Sequence, residues 1–147
     1  MTSNIAADAP LADTVPAGFE TVVRGGTFFG GLAPIYRLVT DTTIVLAVRI
    51  GQQHANAHGN AHGGMLMTLA DGALHDNVLR GYPAGAKIVT VNMSADFLSP
   101  ARMGDWLEAH VFVHRQGALL SVADCVLRVG ERRVLRASAT FVQPPNR

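Results

Sequence analysis

The residues best suited to chemistry are concentrated between positions 56 and 71. Asn56 and His62 lie in a polar stretch, Gly63 and Gly64 follow, and Asp71 stands within a run of alanine, leucine and methionine. That run favours an α-helix, so the glycines would begin it, where backbone N–H groups have no acceptor within the helix. Such groups can stabilise a carbonyl oxygen that gains negative charge. Taken alone, a Gly-Gly pair more often makes only a tight turn.

Asp71 is the carboxylate of this segment. On a helical wheel it lies at the border between an apolar face and a more polar one. A carboxylate at such a border is costly to bury without a partner. It could act as a general base or as a nucleophile toward an acyl carbon. A solvated helix face, or an i,i+4 pair with His75, explains the position equally well.

Thr90 belongs to a segment, residues 88–98, that alternates with period two and therefore predicts a strand. One face carries Val89, Val91, Met93, Ala95 and Phe97, and the other carries Thr90, Asn92, Ser94 and Asp96. On the polar face, the Thr90 hydroxyl could hold a water molecule. For an isolated threonine on a strand, a structural role is the default interpretation.

The histidines and the single cysteine predict no metal site. His54, His58 and His62 fall four residues apart, a spacing that a helix would place on one face. The stretch contains Gly59 and lacks apolar periodicity, so it predicts a loop instead. Cys125 lies in an apolar strand, where buried packing is expected rather than a nucleophile.

The elements that must position these residues follow from periodicity and turn signals. Residues 65–79 are apolar around most of the helix circumference, which predicts a buried helix. The last three strands are separated by hairpin-sized loops and predict an antiparallel meander. This order of elements predicts an α+β fold, in which a curved antiparallel sheet wraps a long helix. The predicted strands are residues 35–40, 42–50, 88–98, 106–115, 119–129 and 134–142.

The N-terminal segment differs from the rest. Residues 1–17 contain Pro10, Pro16 and many small residues and predict a flexible arm. Residues 18–24 are compatible with one or two helical turns that Gly25 and Gly26 would end. Residues 18–147 are interpreted as a single domain, the size expected for a chain of 147 residues.

Composition narrows the classes of function. Hydrophobic residues make up 48% and charged residues 16%, which predicts a folded core. The net charge is +1 without a basic stripe, so a nucleic-acid partner is not expected. No apolar stretch approaches the ~20 residues that span a bilayer. One cysteine and an N-terminal stretch without basic residues favour the cytoplasm.

The spacing Asn56-x-x-Gly59-x-x-His62-Gly63-Gly64-x6-Asp71 resembles the signature of hotdog-fold acyl-CoA thioesterases, in the branch related to the phenylacetic-acid-degradation thioesterases. Residues 91–93 and 97–105 resemble the strand and following turn of the same family. The similarity covers residues 35–142. It implies the hotdog fold, hydrolysis of an acyl-CoA thioester, and no cofactor beyond the coenzyme A of the substrate.

The resemblance also implies catalytic roles. Asn56 and the amide of Gly63 or Gly64 would polarise the thioester carbonyl, and His62 would shape that loop. The carbonyl would face an Asp71 contributed by the neighbouring subunit, which would activate water or attack directly.

Thr90 would help to place the water. The active site would lie at a dimer interface, in a homodimer or homotetramer. Val91 and His75 are candidate substrate contacts, although a histidine one turn after Asp71 departs from the family pattern. Arg102 and Arg115 are candidates for the coenzyme A phosphates. Four apolar residues are candidates for lining the acyl pocket: Phe28, Phe29, Leu74 and Val78.

Two other functions stay open. A hotdog hydratase or dehydratase uses a differently arranged histidine and acid, and a proline usually precedes its helix-opening glycine. A non-catalytic acyl-CoA-binding module would not need Asn56, Asp71 and Thr90 together. Measurement of thiol release on acyl-CoA addition separates hydrolysis from binding alone.

Overall fold

The long helix α2 (Gly63–Leu79) lies against one face of a seven-stranded antiparallel sheet, in a computed structural model that describes residues 14–23 and 25–145. The sheet wraps the helix, which contacts five of the strands. The elements in chain order are β1 (Glu20–Val22), α1 (Thr27–Gly30), β2 (Ile35–Val39), β3 (Ile44–Arg49), a 3-10 turn (Gln52–His54), α2, β4 (Val89–Phe97), β5 (Trp106–Gln116), β6 (Leu120–Val129) and β7 (Arg132–Val142).

The core lies between α2 and the inward-facing side chains of the sheet. Leu69, Leu74 and Val78 of the helix are fully buried, as are Leu107 and Phe141 of the sheet. Burial of each such side chain contributes about 1.5–3 kcal/mol. The predicted buried helix and the six predicted strands are confirmed, with boundaries that move by two residues or fewer at each end.

Asn77 ties α2 to β3 through its side-chain amide. Its Nδ2 donates to the carbonyl oxygens of Ile44 (2.8 Å) and Ala73 (2.9 Å). Its Oδ1 accepts from the amide of Ile44 (2.9 Å) and the hydroxyl of Thr43 (3.0 Å). The helix is therefore fixed along its axis against the sheet, which fixes the height of Asp71.

The strand order is β1-β2-β3-β5-β6-β7-β4. The predicted meander is confirmed, because β5 pairs with β6 and β6 with β7. Among the strands of the described residues, β4, which follows the helix, pairs with β7 alone and so forms an edge of the sheet. Its outer edge is open along the segment that carries Thr90.

The N-terminal region corrects one prediction. The predicted helical turns over residues 18–24 are wrong for the described residues 18–23, because Glu20–Val22 pairs with β2 as strand β1, and the short helix α1 follows Gly26 instead. Residues 1–13 of the predicted arm lie outside the described residues, as do Arg24 and residues 146–147. Thr14 accepts a hydrogen bond from Arg49 (2.7 Å), so this part of the arm lies against the sheet. The division into an arm (1–17) and one domain (18–147) stays a prediction.

Candidate active site

Asp71 and Thr90 meet through a direct hydrogen bond. The Thr90 hydroxyl donates to Oδ1 of Asp71 at 2.8 Å. Asp71 is half-buried in the middle of α2 and lies beside strand β4. The bond fixes one carboxylate oxygen, so the other is left to face a substrate or a water molecule. This geometry suits a positioned base or nucleophile.

A β-bulge turns Thr90 toward the helix. The register between β4 and β7 shifts between Thr90 and Asn92. Thr90 is therefore opposite the inward-facing Phe141, whereas Asn92 is opposite the outward-facing Thr140. The predicted unbroken alternation of residues 88–98 is thus wrong at this end of the strand. A bulge of this kind re-aims a side chain, and here it brings the hydroxyl to the carboxylate.

An open groove of about 550 Å³ surrounds this pair and is called the Asp71 groove. Its other lining residues are mostly apolar: Gly26, Phe28, Phe29, Met67, Thr68 and Met93. Phe29 lies against Gly72 so closely that a Cβ there would overlap its ring. Of the four residues predicted to line the acyl pocket, Phe28 and Phe29 line this groove. Leu74 and Val78 are fully buried in the core and are not among its lining residues.

The loop before α2 is built around Asn56. Its Oδ1 accepts from the amides of His58 (2.9 Å) and Asn60 (3.1 Å), and its own amide donates to the Asn60 carbonyl (2.7 Å). Gly59 has a φ of 78°, which favours glycine because a Cβ would be strained. The side-chain carbonyl of Asn56 is therefore used by the loop, and its Nδ2 is the group that could serve a substrate.

His62 caps the helix. Its Nδ1 accepts from the Gly64 amide at 2.8 Å, which satisfies one of the donors at the helix start. Gly63 is the first helical residue, so its N–H has no acceptor within the helix. A Cβ at Gly63 would lie 3.0 Å from the Phe97 ring. Two glycine amides are candidates to polarise the thioester carbonyl, and that of Gly64 is already used by the His62 cap.

The other two loop histidines do not join His62. His54 is buried, with Nε2 donating to the Leu32 carbonyl (2.8 Å) and Nδ1 accepting from the Gly51 amide (3.0 Å). His58 is exposed. The three histidines are spaced four residues apart, but each lies in a different environment of the loop.

The candidate substrate contacts are spread over the surface. Val91 is exposed at the β4 bulge. His75 lies one turn beyond Asp71, but its Nδ1 is nearest to Asp76 (3.7 Å), so the i,i+4 pair is not formed. Arg102 adjoins the Asn56 loop through a bridge to Asn60. Arg115 is exposed near the far end of β5, remote from that loop.

Two features of the site were not predicted. Met93 lines the groove. The alternation of β4 predicts that its side chain points inward but does not predict its place beside Asp71. The contact of Phe97 with Gly63 joins residues far apart in sequence, and no local signal indicates it. Cys125 is buried as predicted, and burial raises the pKa of its thiol to about 12, which excludes it as a nucleophile near neutral pH.

Comparison with known proteins agrees with this geometry. The sequence pattern of the thioesterase superfamily matches residues 58–136. A Pseudomonas aeruginosa protein named as a candidate esterase is 38% identical over 131 residues, covering 88% of this chain and 98% of its own. Mouse acyl-coenzyme A thioesterase 13 is 28% identical over 123 residues, covering 84% and 81%.

Solved structures agree as well. The Escherichia coli PaaI protein from the phenylacetic acid degradation operon superposes with a TM-score of 0.69 at 25% identity, covering 76% of this chain and 80% of its own. A hypothetical thioesterase of Streptococcus pneumoniae, solved with coenzyme A, superposes with a TM-score of 0.65 at 29% identity, covering 73% and 85%. The chain belongs to the thioesterase superfamily and has the hotdog fold, as the resemblance implied.

None of the helices in the described part of the chain is long and apolar enough to cross a membrane.

Proposed function

We propose that the protein is an acyl-CoA thioesterase that hydrolyses the thioester to a free acid and coenzyme A. The observation that carries the proposal is the hydrogen bond from Thr90 to Asp71 inside the open, largely apolar Asp71 groove. A binding module gains nothing from a carboxylate held beside an acyl chain. The name of the mouse relative and the coenzyme A in the S. pneumoniae structure support the substrate class.

The chemistry is nucleophilic attack on the thioester carbonyl. In one route, Asp71 takes a proton from the water molecule that attacks the thioester carbon; the C–S bond then breaks, and the coenzyme A thiolate leaves and takes up that proton. In the other, the Asp71 carboxylate attacks the carbon and expels the coenzyme A thiolate, which gives an anhydride; water hydrolyses the anhydride to the free acid, restores Asp71, and the released proton goes to the thiolate. Thr90 orients the carboxylate and shares the water. The carbonyl oxygen, which becomes negative, is received by the Gly63 amide and by Nδ2 of Asn56. His62 holds the loop and the helix start in register through its cap.

One chain cannot present both halves of this machinery to one carbonyl. Gly63 and Asp71 are eight residues apart on α2, so they are separated by about 12 Å along the helix axis. Attack and oxyanion stabilisation act on neighbouring atoms of the substrate. The Gly63 amide must therefore meet the Asp71 of a second copy.

Strand β4 supplies a way for two copies to meet. Its Thr90 end lies at Asp71, and its Phe97 end lies at Gly63. If the open edge pairs antiparallel with the same edge of a second copy, Thr90 of one chain lies near Phe97 of the other. Asp71 of one copy is then next to Gly63 of the other. The exposed apolar residues of this strand, Val89, Val91 and Phe97, would be covered in such a homodimer.

Thiol release from a small acyl-CoA panel, including phenylacetyl-CoA and medium-chain substrates, tests the proposal. We expect turnover by the wild type and a loss of at least ~100-fold in kcat for Asp71→Asn. Asp41→Asn is the matched control, because Asp41 is exposed in the turn before β3. Binding without thiol release would favour a binding module, and hydration of an enoyl-CoA would favour the hydratase. A fully active Asp71→Asn enzyme would remove Asp71 from the mechanism.

A further inference from the structure

A second groove continues along α2 beyond the Asp71 groove and is called the Arg37 groove. It has a volume of about 590 Å³, and its walls include Ile44, Leu79, Arg37, His75, Asp76 and Arg80. The two grooves adjoin at consecutive residues, since Gly26 lines the first and Gly25 the second. On the helix, His75 is one turn from Asp71, about 6 Å along the axis. The Arg37 groove is therefore within reach of an acyl chain whose carbonyl lies at Asp71.

Two buried polar atoms of this groove have no hydrogen-bond partner in the described part of the chain: Nε of Arg37 and Nδ1 of His75. A buried donor without an acceptor costs free energy, and such atoms are few in native proteins. Only four buried side-chain atoms of the described residues lack a partner, and two of them belong to residues that line the Arg37 groove. A ligand with acceptor oxygens that reached these two nitrogens would supply the missing partners.

The charges around these two nitrogen atoms indicate which kind of acceptor oxygen a ligand would carry. Arg37 lies 3.5 Å from Glu20, but the Glu20 side chain is 69% exposed and leaves the Nε edge of the guanidinium unpaired. Arg80 also lines the groove, held through donations to the carbonyls of Thr40 and Asp41. The Asp76 carboxylate lies 3.7 Å from Nδ1 of His75. The lining thus carries two guanidinium groups and one carboxylate, and the Nε–H of Arg37 is a donor that Glu20 leaves unpaired.

We propose that the Arg37 groove binds a terminal carboxylate, so that the preferred substrates are coenzyme A monothioesters of dicarboxylic acids. This inference rests on the proposed function and names its substrate class. The guanidinium edge of Arg37 binds the carboxylate, His75 donates the second hydrogen bond, and Ile44 and Leu79 contact the methylene groups. A guanidinium with a carboxylate is among the stronger hydrogen-bonded pairs in proteins.

Thioether analogues, which cannot be hydrolysed, test the groove independently of catalysis. Calorimetry would compare S-hexyl-CoA, S-(6-hydroxyhexyl)-CoA and S-(5-carboxypentyl)-CoA on the wild-type protein. We expect the carboxylate analogue to bind at least ~10-fold more tightly than the other two, the factor that one charged hydrogen bond supplies. Equal affinities would overturn the groove's role and leave the proposed function intact. An equally tight hydroxyl analogue would overturn the need for a carboxylate. If none binds, the proposed function fails together with the subsite.

Matched variants identify the donors. Arg37→Lys keeps the charge and removes the Nε–H, so the ratio of the two affinities, carboxylate over hexyl, should fall toward one. His75→Leu should lower the ratio, whereas His75→Asn, whose amide can donate from the position of Nδ1, should restore part of it. Arg136→Lys is the control, because Arg136 pairs with Asp96 outside the groove. A ratio that stays unchanged in both Arg37→Lys and His75→Leu would contradict the proposal.

Discussion

The side chain of Asn56 has two separable functions, and Asn56→Asp distinguishes them. Its Oδ1 holds the loop by accepting from His58 and Asn60 at 2.9 and 3.1 Å. An aspartate retains an oxygen at that place and accepts the same two hydrogen bonds. It lacks the Nδ2–H donor that we assign to the substrate carbonyl, and it places a negative charge beside the developing oxyanion.

The expected fall in kcat follows from the loss of the Nδ2–H donor. Removal of one donor to an oxyanion costs roughly 100- to 1,000-fold in kcat. Because the loop contacts persist, the free energy of unfolding should change by no more than about 1 kcal/mol. A loss of activity without a loss of stability is the expected signature of a residue that acts on the reacting atoms.

The assay is thiol release at saturating acyl-CoA, with thermal unfolding measured on the same samples. Asn60→Asp is the matched control, because it introduces the same charge in the same loop and leaves Asn56 in place. We expect its kcat to fall by much less than that of Asn56→Asp. An active Asn56→Asp enzyme would refute the reasoning, and so would equal losses in both variants, since charge alone would then explain the effect.

Three further predictions concern other contacts. Thr90→Val should lower kcat about 10-fold or more because Asp71 loses its oriented partner, whereas Thr90→Ser should stay near the wild type; steady-state kinetics would show both. Asn77→Ala should lower the free energy of unfolding by about 2–4 kcal/mol in urea titration, since the side chain loses four hydrogen bonds, three to Thr43 and Ile44 and one to Ala73 within α2. Cys125, 1% exposed with its pKa raised to about 12, should react with a thiol reagent only on unfolding.

Each of these predictions has a contrary result. Equal activity of the valine and serine variants would mean that the Thr90 hydroxyl does not act on Asp71. A change below ~0.5 kcal/mol in Asn77→Ala, the size expected for a surface site, would mean that water replaces the lost bonds. Rapid labelling of Cys125 in the folded protein would show that the sheet opens at β6.

Local patterns in the sequence were enough to predict the helix and the main strands. The run of alanine, leucine and methionine in α2 differs in period and composition from the β-branched strands around it. Glycine and proline mark the ends of several elements. Strand β1 could not be predicted, because three residues hold too little pattern and its strand character comes from pairing with β2. The place of β4 at the sheet edge also follows from tertiary packing rather than from local sequence.

The candidate site was predictable as a set of residues but not as a geometry. The spacing from Asn56 to Asp71 shows which residues share a loop and a helix. The hydrogen bond between Thr90 and Asp71 depends on a bulge, which ordinary strand alternation hides. The capping of Gly64 by His62 and the unpaired Nε of Arg37 depend on distances that a sequence does not contain.

The central claim is that one catalytic site is built from two copies of the chain, and mixing two inactive variants tests it most directly. Asn56→Asp and Asp71→Asn would be unfolded together and refolded as mixed dimers, identified by different affinity tags. Each mixed dimer has one site with both wild-type residues, so a random mixture should recover about a quarter of wild-type activity. If the mixture is no more active than the two variants alone, Asn56 and Asp71 act within one chain, and the account of the site is wrong.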